Sequence, residues 1–198
     1  MSDRLITVVG TGTGAPPAEF LAGAGLVVGG RRHLDAVTVP AEAERVVLGP
    51  LAPALDVIER HLDKGSRVVV LASGDPGFFG IVRVLAERFG AAGLDIRPGV
   101  SSVATAFARV GLPWDDAVVV SAHGRDLRTA VNVCRAHPKV AVLTGPGAGP
   151  AELGAALAAG ALGRGLVGCS PLGGGVERGG RGRPAAGGRR GLGLGRLF

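Results

Sequence analysis

The chain has 198 residues, 36 of them glycine, with 46% hydrophobic residues and a mean hydropathy of +0.36, enough apolar surface to exclude a wholly disordered chain. No apolar run approaches the roughly 20 residues that cross a bilayer and the N-terminus lacks a signal-peptide pattern, so a cytoplasmic protein without membrane contact is expected; two distant cysteines, Cys134 and Cys169, exclude a disulfide framework or zinc module. A formal charge of +6 and a pI near 10.8 suggest, taken alone, a nucleic-acid binder.

Leu5 to Val9 predicts a first strand, ending in the turn Gly10-Thr11-Gly12-Thr13-Gly14. A short helix around Glu19 to Ala24 leads to a second strand, Leu26-Val27-Val28, which ends in Gly29-Gly30-Arg31-Arg32. Leu51, Leu55, Ile58 and Leu62 recur at helical spacing, and Lys64-Gly65 closes that helix with a cation and a C-terminal glycine. Arg67 to Ala72 is continuously apolar after its first residue, the pattern of a central parallel strand buried on both faces. Ser73-Gly74-Asp75-Pro76-Gly77 then leads to a helix carrying Phe78, Ile81, Val82, Leu85 and Phe89. Leu94 to Arg97 is another strand, followed by Pro98-Gly99-Val100-Ser101-Ser102 and a helix to Val110. After the linker Gly111-Leu112-Pro113 the pattern restarts: a strand at 117 to 121, a helix at 126 to 135, a strand at 140 to 144 and a helix at 150 to 159.

From Gly163 the alternation gives way to glycine and arginine. Residues 1 to 162 hold 15 Lys+Arg and 15 Asp+Glu, whereas the last 36 residues hold seven arginines, one acid (Glu177) and 14 glycines. The whole net charge therefore sits in that tail, which lacks the apolar period of a core and is expected to be disordered. The expected organisation is an N-terminal α/β domain over 1–112, a partial C-terminal α/β domain over 113–162, and a Gly/Arg-rich tail over 163–198.

In open parallel sheets, ligands bind beyond the carboxyl ends of the strands, so the turns after each strand carry the functional information. Gly10 to Ala15 matches a loose dinucleotide fingerprint, and Arg31-Arg32 could hold the 2′-phosphate of NADP; Pro16-Pro17, however, interrupts the helix such a turn requires. The alternative is a tight glycine turn without phosphate. Asp75, beside Gly74, is either a helix cap or a carboxylate for an amine or ribose hydroxyls. Ser101 and Ser102 are likewise an N-cap or ligand-facing hydroxyls. His33, His61, His123 and His137 show no paired metal-ligand spacing, so no metal is expected; His61 and His137 read as surface residues.

The strings V-V-G-T-G-T-G, L-V-V-G-G-R-R-H-L, V-V-V-L-A-S-G-D-P-G-F-F-G, R-P-G-V-S-S-V, F-A-R-V-G-L-P-W and V-V-S-A-H-G-R resemble, in order and spacing, the tetrapyrrole (corrin/porphyrin) methylases over about residues 4 to 160. G-G-R-R-H-L with G-L-P-W and S-x-H-G-R points to the corrin branch that methylates carbon-5 of precorrin-6Y in cobalamin biosynthesis. The resemblance implies a two-domain α/β methyltransferase fold of class III, binding S-adenosylmethionine in the cleft between domains. Motif matching carries cofactor contacts to Gly74, Asp75, Phe78, Ser101 and Ser102, and weaker ones to Thr13, Thr144 and Gly145. Because S-adenosylmethionine has no phosphate, the resemblance removes most support for NADP.

A sulfonium methyl is already a strong electrophile, so an enzyme of this kind needs mainly to align it with an electron-rich carbon. The implied substrate carries several carboxylates, for which Arg31, Arg32, His33, His123 and Arg125 are candidates; the first two arginines also read as a solvated loop. His123 is a candidate for moving the released proton, without being assigned as catalytic. The family pattern fails after about Ala159, which implies an incomplete second domain, from a truncated or frame-shifted gene, and self-association through the apolar surface left exposed. Carbon-15 methylation and decarboxylation, fused in many relatives, would then need a separate protein. A folded but inactive methylase is the alternative. An RNA role for the arginine-glycine run at 177 to 183 is disfavoured because the only aromatic residue in the tail is Phe198.

Overall fold

A computed structural model describes residues 5–12, 14–159 and 167–169, the last three as backbone. The chain divides into two compact units, residues 1–101 and residue 102 onward.

The first unit is built on five parallel strands: β1 (Ile6–Gly10), β2 (Leu26–Gly29), β3 (Glu44–Val47), β4 (Val68–Ala72) and β5 (Leu94–Arg97), in the order β3-β2-β4-β1-β5. β4 pairs with β1 from Ile6↔Val68 to Gly10↔Ala72 and with β2 from Leu26↔Val68 to Gly29↔Leu71, so its unbroken apolar run is buried on both faces. The two faces separate with period two. Ile6, Val8, Leu26, Val28, Val68 and Val70 pack with Ala54, Ile58 and Leu62 of helix α2 (Leu51–Asp63) and Leu85 of α3 (Val82–Phe89). Val9, Val27, Val69 and Leu71 pack on the other side with Leu21, Ala24 and Leu34, the last from the short helix α1 (Arg31–Asp35). Ile58 is 1% exposed in the first of these layers. Ile58→Val is therefore expected to lower stability by about 0.5–1.5 kcal/mol, read as a fall in the urea midpoint at constant slope.

Several elements depart from expectation. The helix expected at 19 to 24 is a single 3-10 turn, Ala18–Phe20. Arg31-Arg32 open α1 rather than a solvated loop, with Leu34 N–H donating to Gly30 O at 3.1 Å. β3 was not anticipated because E-R-V-V is an edge strand whose residues are mostly exposed, which removes the apolar signal. α2 ends as expected: Gly65 takes φ +71° and its N–H bonds to Leu62 O at 3.0 Å. His61 is not a free surface residue; it is a largely covered side chain bonded through Nε2 to Glu44 at 2.9 Å, and that bond holds the Glu44 carboxyl below the usual range.

The second unit has a parallel sheet in the order β6-β7-β8, from β6 (Val118–Ser121), β7 (Val140–Leu143) and β8 (Val167–Cys169). Its helices are α4 (Ser102–Val110), α5 (Leu127–Ala136) and α6 (Pro150–Ala158). Asp126 caps α5, its Oδ1 accepting from Arg128 N–H at 2.9 Å. The core gathers Ala122, Ala130, Val131, Cys134, Val140, Val142, Ala148 and Leu153.

Two expected boundaries shift. α4 lies in the second unit, where it packs on β8, and Phe107 of α4 stacks on Trp114 with centroids 6.0 Å apart; the division therefore falls at 101/102 rather than at 112/113. The folded pattern also passes residue 162, because β8 pairs in register with β7 from Ala141↔Val167 to Leu143↔Cys169. Apart from β8, the expected disordered tail lies outside the described residues. Among the described residues no helix is long and apolar enough to cross a membrane.

Cys134 is buried on α5, and burial pushes its thiol up to about 11. Peptide mapping after iodoacetamide treatment near pH 8 should find Cys134 unmodified in the folded protein and alkylated once it is denatured.

Candidate functional site

In the first unit the chain leaves β2 toward β3 and leaves β4 toward β5, in opposite directions from two adjacent strands. That divergence opens a crevice beyond their carboxyl ends, the position where parallel sheets bind ligands. α1, entered from β2, brings Arg31, Arg32 and His33 to this edge, and the turn after β4 brings Ser73, Gly74 and Asp75. Arg32 donates to Ser73 Oγ at 2.6 Å, and His33 Nε2 lies 2.9 Å from the same oxygen. On its other side His33 Nδ1 lies 3.2 Å from Thr11 Oγ1, whose hydroxyl donates to Ala72 O at 3.1 Å. Partial burial, then the Arg32 guanidinium, lower the basicity of His33. Arg31 is exposed.

Beside this group three turns meet backbone to backbone. A Cβ on Gly10 would overlap Gly74 O and the Gly99 nitrogen, and one on Gly99 would lie 2.7 Å from Gly10 O and 2.8 Å from Gly74 O. Gly99 N–H donates to Gly74 O at 3.2 Å, and Thr11 N–H to Ala72 O at 2.8 Å. The glycines after β1 thus serve close approach between turns. No α-helix follows this turn, only the 3-10 turn at Ala18–Phe20, so the helix N-terminus that would hold a dinucleotide pyrophosphate is missing. The NADP reading is corrected on that ground.

The Ser73-to-Ile81 segment is more tightly folded than a helix start. Gly74 takes φ +57°, Asp75 Oδ1 accepts from Gly77 N–H at 2.8 Å, and Phe78 N–H bonds Asp75 O at 3.1 Å. Asp75 therefore caps its own turn, and α3 begins only at Val82. Oδ2 accepts from no described group, so the carboxylate keeps an oxygen for a ligand. Phe78 is half-buried and meets Phe79 edge to face at 5.0 Å. Ser101, half-buried, ends the turn after β5. Thr13 lies outside the described residues.

In the second unit the candidates again lie beyond strand ends. The turn after β6 carries His123 and Arg125, both exposed, with Gly124 at φ +64° and Ala122 N–H continuing the ladder to Leu143 O at 2.8 Å. After β7 come Thr144, 1% exposed, and buried Gly145. His123 sits against Gly145 so closely that a Cβ there would overlap Nδ1 of the ring, which joins His123 and Gly145 in one group. Ser102 opens α4. Among the described residues no cluster of three or more His, Cys, Asp or Glu could hold a metal ion.

Thr11 and Ser73 were present in the motif strings without being singled out as site residues. The available signal was their position, a hydroxyl directly following an apolar strand.

The sequence profile of the tetrapyrrole (corrin/porphyrin) methylases matches residues 5–173, past the end expected near 160. The chain is 38% identical over 182 residues to a precorrin-6Y C(5,15)-methyltransferase (decarboxylating) of Sinorhizobium, covering 87% of this chain and 43% of that protein. It therefore spans less than half the length of that relative. A cobalt-precorrin-7 C(5)-methyltransferase of Salmonella typhimurium is 37% identical over 171 residues, 82% of each chain. Among solved structures, the cobalamin-biosynthesis precorrin-6Y methylase of Archaeoglobus fulgidus superposes with TM-score 0.56 at 26% identity, over 76% of this chain and 79% of that one. The uroporphyrin-III C-methyltransferase of Thermus thermophilus, solved with S-adenosyl homocysteine, superposes with TM-score 0.55 at 26% identity, over 80% and 78%.

Proposed function

The chain belongs to the tetrapyrrole (corrin/porphyrin) methylases, and from that premise we propose that it is an S-adenosylmethionine-dependent C-methyltransferase acting on carbon-5 of a precorrin. The observation that carries the reading is the 37% identity to a cobalt-precorrin-7 C(5)-methyltransferase across 82% of both chains.

The donor set fits the cofactor. S-adenosylmethionine presents an ammonium, a carboxylate and ribose hydroxyls but no phosphate. The first unit offers a carboxylate with one oxygen uncommitted to described groups, Asp75, beside a glycine at φ +57° that lets a ligand approach the backbone. It offers no helix N-terminus after β1, which a phosphate cofactor would need. When bound, the cofactor supplies a methyl group on a sulfonium, electrophilic without a metal or protein nucleophile.

The chain's own work is then binding and alignment. Gly74, Asp75, Phe78 and Ser101 are assigned to the cofactor, as are Ser102, Thr144, Gly145 and, by motif alone, Thr13. Arg31, Arg32, His123 and Arg125 are assigned to the substrate's carboxylates, for which guanidinium offers paired donors.

Titration calorimetry with S-adenosylmethionine on the folded chain tests the first step, and a gain of one methyl group by a precorrin tests the second. Binding with methyl gain is the expected result. A folded protein giving no heat at millimolar cofactor would overturn the reading.

A further inference from the structure

We propose that Ser73 and His33, with Thr11 as a positioning residue, form the path by which the substrate carbon loses its proton after methylation; this rests on the methyl-transfer reading above. The turn after β1, the helix α1 after β2 and the turn after β4 place these side chains in one line: Ala72 O, Thr11 Oγ1, His33 Nδ1, then His33 Nε2 and Ser73 Oγ.

The geometry fixes the imidazole's tautomer from both sides. Thr11 Oγ1 gives its one hydrogen to Ala72 O, so at its 3.2 Å contact with His33 it can only accept, and Nδ1 carries the hydrogen. At the other nitrogen, Arg32 Nε–H points at Nε2 at 3.4 Å. Arginine has no acceptor, so Nε2 holds a lone pair. Arg32 also donates to Ser73 Oγ at 2.6 Å, which leaves the serine hydrogen for Nε2 at 2.9 Å. Ser73 is exposed at the crevice edge and His33 is half-buried behind it. Both nitrogens of His33 are engaged, so the ring suits proton movement better than the carboxylate binding expected of it.

The step balances within these groups. The substrate carbon bonds the methyl group as the sulfur–methyl bond breaks, its electron pair staying on sulfur. The methylated carbon then releases its hydrogen as a proton to Ser73 Oγ, whose own hydrogen moves to His33 Nε2, while Nδ1–H stays on Thr11. The imidazolium returns the proton to water. Of charged groups, Arg32 on the same helix faces the ring, while the turns after β1 and β4 present the hydroxyls of Thr11 and Ser73. Burial and Arg32 hold His33 below 6.5, which keeps it in the base form at neutral pH.

The test combines His33→Gln, Ser73→Ala and Thr11→Val in the full chain, with single-turnover formation of the methylated, deprotonated product from a precorrin over about pH 5 to 8, cofactor calorimetry and ¹⁵N NMR of the imidazole. His33→Gln and Ser73→Ala should slow formation of the deprotonated product about a hundredfold with cofactor affinity held within about twofold. The wild-type rate should fall in acid with a midpoint below 6.5, and that limb should vanish in His33→Gln. NMR should show Nδ1 protonated in the wild type and that preference lost in Thr11→Val. A His33→Gln or Ser73→Ala rate within threefold of wild type, or an Nε2–H tautomer in the wild type, overturns the relay. The exposed Ser73→Ala substitution keeps the test decisive if His33→Gln does not fold. Cofactor binding without any methyl transfer by the wild type overturns the functional reading and the relay with it, whereas transfer by the wild type with unimpaired variants overturns the relay alone.

Discussion

Gly10→Ala is expected to lower the melting temperature by about 10 °C, while Gly14→Ala leaves it within about 1 °C of wild type. The difference lies in what a single methyl group would meet. At residue 10 it would overlap the Gly74 carbonyl oxygen and the Gly99 nitrogen and stand 3.0 Å from Pro76 Cδ; at residue 14 no atom of the described residues lies within 4 Å. The first two obstacles are backbone and cannot rotate away. To admit the methyl group, the turn after β1 must part from those after β4 and β5, and Gly99 N–H would lose its 3.2 Å bond to Gly74 O. Overpacking of this kind costs about 1–3 kcal/mol and sometimes more; backbone on two sides places Gly10→Ala at about 3 kcal/mol or above, a large share of a stability of about 5–15 kcal/mol. The same displacement moves Gly74 and Asp75, so cofactor affinity should fall with it. Thermal unfolding followed by circular dichroism, with calorimetry on both variants, reads the two effects. A Gly10→Ala melting temperature within 2 °C of wild type would sink the backbone-packing account.

How much of this arrangement the residues declare depends on where the information resides. β4 and its neighbours were legible because V-V-V-L-A, I-T-V-V-G and L-V-V-G are buried on both faces, and burial selects an unbroken apolar run. α2 was legible from its period and from Lys64-Gly65, a local stop signal. β3 was hidden because an edge strand can keep Glu44 and Arg45 exposed, and α1 because five residues hold too little period to register. β8 lies at the start of the glycine- and arginine-rich stretch, and it is fixed by pairing with β7, a long-range effect that no local pattern records. Among the site residues, Asp75 could be singled out because a carboxylate between glycine and proline is chemically conspicuous. The Thr11–His33–Ser73 line could not, since it joins residues 22 and 40 positions apart on two turns and a helix that only the sheet order β2-β4-β1 brings together.

Asp75→Ala is expected to weaken S-adenosylmethionine binding about a hundredfold while the protein remains folded. Asp75 has two tasks, and the variant series separates them. Its Oδ1 accepts from Gly77 N–H at 2.8 Å, which holds the turn before α3, and the other oxygen is assigned to the cofactor. A hydrogen bond to a charged group contributes about 1.5–3 kcal/mol, and each 1.4 kcal/mol is about a tenfold change in dissociation constant, so loss of the cofactor contact alone gives about 10- to 100-fold. Loss of the Gly77 contact loosens the backbone at Gly74 and Phe78, two further assigned contacts, which moves the effect to the upper end. Asp75→Asn retains an acceptor for Gly77 N–H but not the charge. It should keep the wild-type melting temperature and still lose about tenfold in affinity, since the amide cannot replace a carboxylate opposite an ammonium and accepts less strongly from ribose hydroxyls. Calorimetry at two salt concentrations divides these partners. A loss in Asp75→Asn that shrinks as salt rises marks the ammonium, because screening weakens the ion pair of the wild type; a loss indifferent to salt marks the hydroxyls. Unchanged affinity in Asp75→Ala, in a protein melting like wild type, would remove Asp75 from the cofactor site and leave it the capping residue of its own turn.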